Sequence, residues 1–450
     1  MKLNAKLKQD SGYSWVLSHL ETASPFGAAL AREPEWYGPG RESDLNAELE
    51  RVDCALHWDS LHMESLIHIL SEFHDIRNTF IRHSNVPMDL VELFEVKHFL
   101  LRLERLAPEY NTAALDGVEL SSMDDMLALL DPDGRKLPAF HIDNSFDPAL
   151  ERIRAEKAQV EQSLRNEQTD ELMARRRELV LQEDNAERDA RRRLTTALLR
   201  EKERFFAAMD ALGRLDLVLA KAKLARKYGC IRPEIGGASV RAENLTHPQV
   251  AEHLSGFFTP VSVELEQGAT VVTGANMGGK SVAMKTVVLN LLLLHTGFFV
   301  FAQAMSAPLF HSVGLIGADG QSVERGLSSF GAEVKELDDI LIREEGRFFF
   351  LALDEFARGT NPREGAALAR ALVTHLNALP CVAILSTHYD GVAPAAKRHY
   401  QVSGLDETGR KMDYRLILSP PDAPCPQDAL KVCRLLGLSK KLMACFEENS

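Results

Sequence analysis

From about residue 12 to residue 230, apolar residues recur at helical spacing. Leu45, Leu49, Val52 and Leu56 follow one another at intervals of four, three and four residues, which places them on one face of a helix. A region patterned in this way predicts an all-α domain, which we place at residues 1–233.

The most highly charged part of this region predicts two long helices that meet near residues 182–185. Asp147 can cap a helix whose first turn contains Pro148, and no further proline occurs before Pro233. Acidic and basic residues are mixed along this stretch, so it is compatible with either a solvated helical face or an arm that touches DNA. Before it, an Asp-Pro-Asp-Gly turn at residues 131–134 predicts a small hairpin.

The pattern changes in the second half of the chain to short apolar runs that each end in a polar cluster. These runs lie at residues 269–274, 348–355 and 382–390. Strands whose carboxyl ends carry polar residues are typical of an open α/β nucleotide-binding sheet. We therefore predict an α/β domain over residues 234–450, ending in a helical tail. The most apolar stretch, residues 287–302, is too short for a bilayer and predicts a buried helix that runs into a strand.

The composition is that of a globular protein with an excess of acidic residues. The 450 residues include 52 Lys and Arg against 65 Asp and Glu, for a formal net charge of −13. This balance argues against a protein that wraps nucleic acid, although a local basic patch is compatible with it. The six cysteines show no metal-ligand spacing and are expected to be reduced. Because the N-terminus lacks the apolar core of a signal peptide, we expect a cytoplasmic protein without membrane contact.

One segment fits the phosphate-binding pattern G-x-x-x-x-G-K-[ST] between a predicted strand and a predicted helix. Its glycines allow backbone N–H groups to turn towards phosphate oxygens. Lys280 can reach the β and γ phosphates, and the Ser281 hydroxyl can bind Mg²⁺. The predicted ATP-binding set is Gly274, Ala275, Asn276, Met277, Gly278, Gly279, Lys280 and Ser281.

Three further polar side chains follow predicted strands. Asp354 comes directly after a buried run, where a carboxylate costs free energy unless it serves a cation, so it is predicted to hold Mg²⁺. Glu355 beside it is placed to orient or deprotonate the attacking water. His388 ends the third run. A lone histidine is often structural, but this position favours contact with the γ-phosphate or the water.

Residues 326–337, GLSSFGAEVKEL, place two serines before an amphipathic helix. Taken alone, the segment is a capped helix. Hydrolysis of ATP, however, needs charge stabilisation around the γ-phosphate, and the sequence shows no obvious arginine finger. A serine-bearing helix end from a second copy of the chain could supply it.

Four motifs, TGANMGGKS, GLSSFGAEVKELDDIL, LDEFARGTNPREG and STHYD, resemble in order and spacing those of the MutS family of ABC-type ATPases. The resemblance implies an α/β P-loop NTPase domain, ABC-type and MutS-like, preceded by an all-α lever and core domain. It also implies ATP and Mg²⁺ as cofactors. Ala275 departs from the family's proline, a change that should be tolerated because proline there supplies stiffness rather than chemistry.

The resemblance further implies a dimer, either a homodimer or a heteromer with another ATPase subunit. Each site would be composite, with Glu355 and His388 of one subunit completed in trans by Ser328 of its partner. Residues Arg358–Thr360 match a turn that faces the partner subunit in this family.

Two classes of function are compatible with the resemblance. We expect the family's mismatch-reading, connector, DNA-clamp and Smr nuclease regions to be missing, so a DNA role would exclude mismatch reading and rest on weak binding. Alternatively the client is a protein. Short MutS-like chains resemble the subunit that, with a second ATPase, reactivates the cobalamin-dependent lysine 5,6-aminomutase. The acidic composition favours the protein client, whereas the family's prevailing role favours DNA.

Overall fold

The computed structural model describes residues 3–82, 86–254, 258–274, 279–317, 329–405, 412–424, 433 and 438–448. Contacts divide the chain into two compact units. A sheet-containing unit comprises Met1–Glu21, Glu33–Leu56 and Lys221–Ser450, and a helical unit comprises Thr22–Arg32 and His57–Ala220. The predicted domain boundary between residues 233 and 234 lies inside the sheet-containing unit and stays a prediction.

Helices dominate the first half of the chain, as the spacing of apolar residues predicts. In chain order the helices are α1 (Ala5–Asp10), α2 (Tyr13–Ser18), α3 (Pro25–Arg32), α4 (Glu42–Leu56), α5 (Ser60–Ser71), α6 (Arg77–Arg82), α7 (Leu90–Asn111), α8 (Asp124–Leu130), α9 (Pro148–Asn166), α10 (Asp170–Arg200), α11 (Lys202–Tyr228), α12 (Pro248–His253), α13 (Lys280–His295), α14 (Ser329–Arg343), α15 (Pro362–Leu376) and α16 (Lys440–Glu448). Leu45, Leu49 and Val52 are fully buried on α4, which confirms the predicted face.

The long charged stretch forms two helices, but they do not meet where the sequence predicts. Asp147 does cap α9, accepting a hydrogen bond from the Ala149 N–H at 2.8 Å. Helix α10 then runs unbroken through residues 182–185, and the break lies earlier, where the Thr169 side chain caps α10. The predicted meeting point is therefore wrong. Residues 182–185 contain no glycine or proline, so nothing in the local backbone ends the helix there.

The predicted hairpin near residue 131 is also wrong. A turn is present, closed by a hydrogen bond of 2.9 Å from the Gly134 N–H to the Asp131 carbonyl. No strand follows it in residues 131–143, all of which the structure describes. The Asp131 carboxylate instead accepts a hydrogen bond from Lys97 of α7 at 3.0 Å, so the turn is tied to a helix rather than to a second strand.

The strands fall in the second half of the chain, where the short apolar runs predict them. They are β1 (Glu234–Ile235), β2 (Val240–Leu245), β3 (Val261–Leu265), β4 (Gly268–Thr273), β5 (Ala304–Ala307), β6 (Val313–Ile316), β7 (Phe349–Leu353), β8 (Cys381–Thr387), β9 (Arg398–Leu405) and β10 (Met412–Leu418). The larger sheet has the order β10-β9-β4-β8-β7-β6, and only the edge strand β10 is antiparallel to its neighbour. The smaller sheet has the order β1-β5-β2-β3.

The register of the central strands places three chain segments at one edge of the larger sheet. Thr273 of β4 lies beside Thr387 of β8, and Leu353 of β7 lies beside Leu385 of β8. Strands β4, β7 and β8 are buried along their whole length and pack into one apolar core with α14 and α15. Their carboxyl ends therefore meet at a fixed place on a rigid support.

Helix α13 is buried on nearly all sides, as its apolar sequence predicts, but the strand expected after it is reduced to a single bridge between Ile231 and Val300. Its last residue, His295, is fully buried and stacks on Trp36 at 4.3 Å between ring centroids. The Nδ1–H of His295 donates to the Tyr37 carbonyl at 2.7 Å, and Nε2 accepts from the Phe310 N–H at 3.4 Å. Burial lowers the pKa of His295 to about 4. No helix among the described residues is long and apolar enough to cross a membrane.

We expect the protein to lose stability as the pH falls from about 6.5 to 4. Below pH 6.5 the unfolded chain protonates His295, whereas the folded protein, with a pKa of about 4, resists protonation. Linkage then gives a loss of about 2 kcal/mol at pH 5 relative to pH 7 for this group. Burial also lowers the pKa of His247 to about 4, so this residue should add to the loss of stability as the pH falls.

The measurement is urea unfolding at pH 7 and pH 5. His295→Phe should be less stable than wild type at pH 7, but its free energy of unfolding should differ less between pH 7 and pH 5 than that of wild type. The exposed His253, replaced by glutamine, is the matched control and should leave the difference unchanged. An equal pH dependence in wild type and His295→Phe would contradict the assignment.

Candidate nucleotide site at the edge of the parallel sheet

Strand β4 is joined to helix α13 by a loop with a glycine at each end. Gly274 has a φ of 149° and Gly279 a φ of 80°, the left-handed side of backbone space that favours glycine. A Cβ on Gly274 would lie 3.0 Å from the Val402 Cβ, and one on Gly279 would lie 2.9 Å from a ring carbon of Tyr414. Both ends of the loop therefore require glycine. Ala275, Asn276, Met277 and Gly278, between them, lie outside the described residues.

Lys280 begins α13, and its side chain turns back towards the loop. The ammonium donates to the Gly274 carbonyl at 2.7 Å and lies 3.8 Å from Glu355 Oε1. Only 3% of the side chain is exposed. A buried ammonium is stable only where acceptors and an opposite charge surround it, and both are present here. Ser281 comes next, in the first turn of the helix, and is half-buried.

Asp354 follows β7, and a residue of the neighbouring strand holds its carboxylate. The Ser386 hydroxyl of β8 donates to Asp354 Oδ1 at 2.7 Å and accepts from the Glu355 N–H at 2.8 Å. This contact arises from the strand register, because Leu353 and Leu385 are paired one residue earlier. Ser386 was not identified as a site residue from the sequence. A small polar residue inside an otherwise apolar strand was the available signal.

Glu355 lies in a strained turn. Its φ is 54° and that of Ala357 is 64°, values that residues with a side chain rarely adopt and that occur preferentially at functional sites. The Glu355 carboxylate is 11% exposed, with Oε1 towards Lys280 and Oε2 bonded to Arg358 Nη1 at 2.9 Å. Arg358, predicted to lie in a turn that faces a partner subunit, thus pairs with Glu355 in its own chain.

Two side chains outside the turn bind the Ala357 backbone. Glu333 of α14 accepts from the Ala357 N–H at 3.3 Å, and the Tyr389 hydroxyl donates to the Ala357 carbonyl at 2.9 Å. Burial, together with the nearby carboxylates of Glu336 and Asp354, raises the pKa of Glu333 to about 7. Neither Glu333 nor Tyr389 was identified as a site residue from the sequence.

The structure thus brings Lys280, Asp354 and Glu355 together, whereas His388 stands apart from them. His388 follows β8 at the same edge, but its side chain is exposed, and its ring lies against Tyr389 at 4.3 Å between centroids. Ser328 lies outside the described residues. The roles predicted for these residues stay predictions.

Comparison with known proteins agrees with this geometry. Residues 270–423 match the family model "MutS domain V". The chain is 33% identical over 293 residues to "Endonuclease MutS2" of Thermomicrobium roseum, covering 61% of this chain and 36% of that protein. It is 29% identical over 288 residues to the protein of the same name from Latilactobacillus sakei, covering 61% and 35%. The one from Geobacillus kaustophilus is 31% identical over 247 residues, covering 52% and 30%.

The chain spans about a third of the length of these curated relatives. The matched region contains the glycine-bounded loop, the buried lysine and the carboxylate pair at the edge of a parallel sheet. Residues 270–423 accordingly match MutS domain V, a P-loop ATPase-type domain of the α/β class, in a chain that is similar over about 60% of its length to MutS2 proteins.

Proposed function

We propose that the chain binds and hydrolyses Mg²⁺-ATP, and that this reaction drives opening and closing of its helical levers. The observation that carries the proposal is the convergence of the Lys280 ammonium and the Glu355 carboxylate, 3.8 Å apart, beside the N-terminus of α13. Free N–H groups at a helix N-terminus and a nearby lysine form a phosphate site. A carboxylate at that position serves an attacking water.

The residues present fit a magnesium ion. Asp354 is a buried carboxylate at the sheet edge and Ser281 is a hydroxyl in the first turn of α13, which are the oxygen donors that Mg²⁺ prefers. The described residues contain no group of three or more His, Cys, Asp or Glu able to hold a metal, in keeping with an ion that takes its other oxygens from phosphate and water. When bound, Mg²⁺ would neutralise charge on the phosphate oxygens.

Each side chain then has a defined task. The Lys280 ammonium exchanges the Gly274 carbonyl for phosphate oxygens, and the loop N–H groups of residues 274–281 bind the rest of the triphosphate. Glu355 accepts the proton of the attacking water at its carboxylate. We assign His388 to the γ-phosphate or that water. Ser328 of a partner subunit would complete the site, so the working form would be a homodimer or a heteromer with another ATPase subunit.

For the client of the levers we propose DNA, bound without recognition of mismatches. The names of the curated relatives support a nucleic-acid role, since they are called endonucleases. Their activity and partners belong to proteins about three times longer than the matched region, so DNA enters here only as a proposal.

A second client, a protein, is favoured by the charges on the hairpin of α9 and α10. Several of its cations pair with acids across this helical hairpin: Arg154 bonds Glu183 at 2.8 Å and Glu187 at 2.6 Å. Further pairs join Lys157 with Glu183, Arg175 with Glu156 and Arg176 with Glu161. Cations that are already paired contribute less to phosphate binding. The proposed protein client is a cobalamin-dependent enzyme such as lysine 5,6-aminomutase, which the chain would remodel as part of an ATP-dependent reactivating factor.

DNA binding separates the two clients. We expect equal affinity for matched and mismatched duplexes, and weak binding that falls steeply with salt, because sequence-independent contacts rest on phosphate neutralisation. The measurement is fluorescence anisotropy on matched, mismatched and four-way-junction DNA across a salt series, with and without ATP.

ATP-modulated binding that persists at about 150 mM salt, even where it is weak, would support DNA as client. Tenfold preference for a mismatch would contradict the proposal that mismatches are not read. Absence of binding, together with ATP-dependent recovery of inactivated aminomutase in a purified mixture, would support the protein client instead.

A further inference from the structure

The turn that carries Glu355 is held by backbone hydrogen bonds from three different side chains. Ser386 binds the Glu355 N–H, Tyr389 binds the Ala357 carbonyl and Glu333 binds the Ala357 N–H. Two residues with positive φ lie in this turn, a conformation that persists only where surrounding contacts enforce it. The place of the Glu355 carboxylate therefore depends on these three anchors.

Glu333 differs from the other two anchors in its origin. Ser386 belongs to β8 and Tyr389 lies just beyond the end of that strand, so both are fixed by the central sheet. Glu333 lies on α14, a helix that joins the core through Leu337 and Ile340. Of the three side chains that hold the catalytic turn, Glu333 is therefore the one through which a movement of α14 would displace that turn.

The surroundings of Glu333 argue that its hydrogen bond is needed. Its half-buried carboxylate lies near Asp354 and Glu336, whose negative charges oppose its own. Such a position is unfavourable for an acid unless a donor offsets the burial, and the Ala357 N–H is that donor. An exposed glutamate elsewhere on α14 would avoid this cost but would not hold the turn.

We infer that Glu333 is a positioning residue for ATP hydrolysis: through the Ala357 N–H it holds the 355–358 turn so that the Glu355 carboxylate faces the attacking water. The inference rests on the proposed function, because it assumes that Glu355 acts on ATP. It adds a role for α14, whose displacement would release the turn and stop hydrolysis without removing any group that touches the nucleotide.

The test compares Glu333→Ala and Glu333→Gln in steady-state ATP hydrolysis, with nucleotide affinity measured separately by titration. Alanine removes the acceptor, so kcat should fall about 10- to 100-fold, as expected for a misplaced catalytic group, while the Kd for ATP changes little. Glutamine keeps an acceptor oxygen and should restore kcat to within a few-fold of wild type. Asp339→Ala removes an exposed carboxylate of α14 that pairs with Lys335 and is the matched control.

Three results would overturn the inference. They are an unchanged kcat in Glu333→Ala, equal losses in the alanine and glutamine variants, and a loss that parallels a lower folded fraction measured by thermal unfolding. A failure of the proposed function looks different, since wild type would then hydrolyse no more ATP than Glu355→Gln. In that case both the proposed function and the role of Glu333 would be rejected. If wild type and Glu333→Ala were both fully active, only the role of Glu333 would be rejected.

Discussion

Replacing Glu355 by glutamine is expected to slow ATP hydrolysis by about 10²- to 10⁴-fold, the contribution typical of a positioned general base. An amide has nearly the same shape as the carboxylate and can still accept the hydrogen bond from Arg358, so the turn should be preserved. It cannot take a proton from water. Nucleotide affinity should therefore persist while turnover is lost.

The measurement is phosphate release under saturating ATP, with the Kd for ATP determined in parallel. Glu345→Gln changes an exposed glutamate just after α14 and should leave both quantities unchanged. Turnover at the wild-type rate by Glu355→Gln, in protein free of contaminating ATPases, would remove Glu355 from the mechanism.

Replacing Lys280 by alanine should weaken ATP binding about 10- to 100-fold, since a hydrogen bond to a charged group contributes about 1.5–3 kcal/mol. In the structure the ammonium is already directed at the start of the loop, bonded to the Gly274 carbonyl at 2.7 Å. Its removal also leaves the Glu355 carboxylate, which is 11% exposed, without one of the two cations that pair with it among the described residues.

Titration with a fluorescent ATP analogue measures the effect, and thermal unfolding checks that the variant remains folded. Lys285→Ala, which removes a half-buried lysine from the same helix, is the control and should bind with wild-type affinity. An unchanged Kd in Lys280→Ala would place the phosphates elsewhere.

Much of the site can be predicted from local sequence. The glycine-bounded loop before α13 requires only a strand, glycines with positive φ and a helix after them, and all of these are encoded within residues 268–295. Asp354 and Glu355 were recognised for the same reason, because polar residues directly after a buried apolar run occupy a strand end. The Asp147 cap of α9 is likewise a contact between neighbours in the chain.

The errors made from the sequence arise where local signals are weak or incomplete. A mixed-charge stretch without glycine or proline gives no indication of where one helix ends, so the meeting point near residues 182–185 was misplaced. The turn at residues 131–134 was recognised, but a turn does not specify whether a strand or a loop comes after it. Here Lys97, 34 residues earlier in the chain, binds Asp131.

The sequence by itself determined the kind of protein, because its defining elements are local patterns. These are a strand, a phosphate loop and a helix, followed by two more strands that end in acidic or polar residues. Only the tertiary structure decided how the catalytic turn is held, because its anchors come from distant parts of the chain. Ser386 lies 31 residues from Glu355 and Glu333 lies 24 residues from Ala357. Their contacts depend on strand register and on the packing of α14, which no local pattern encodes. The same packing leaves the His388 side chain exposed, although its position at the strand end was predicted correctly.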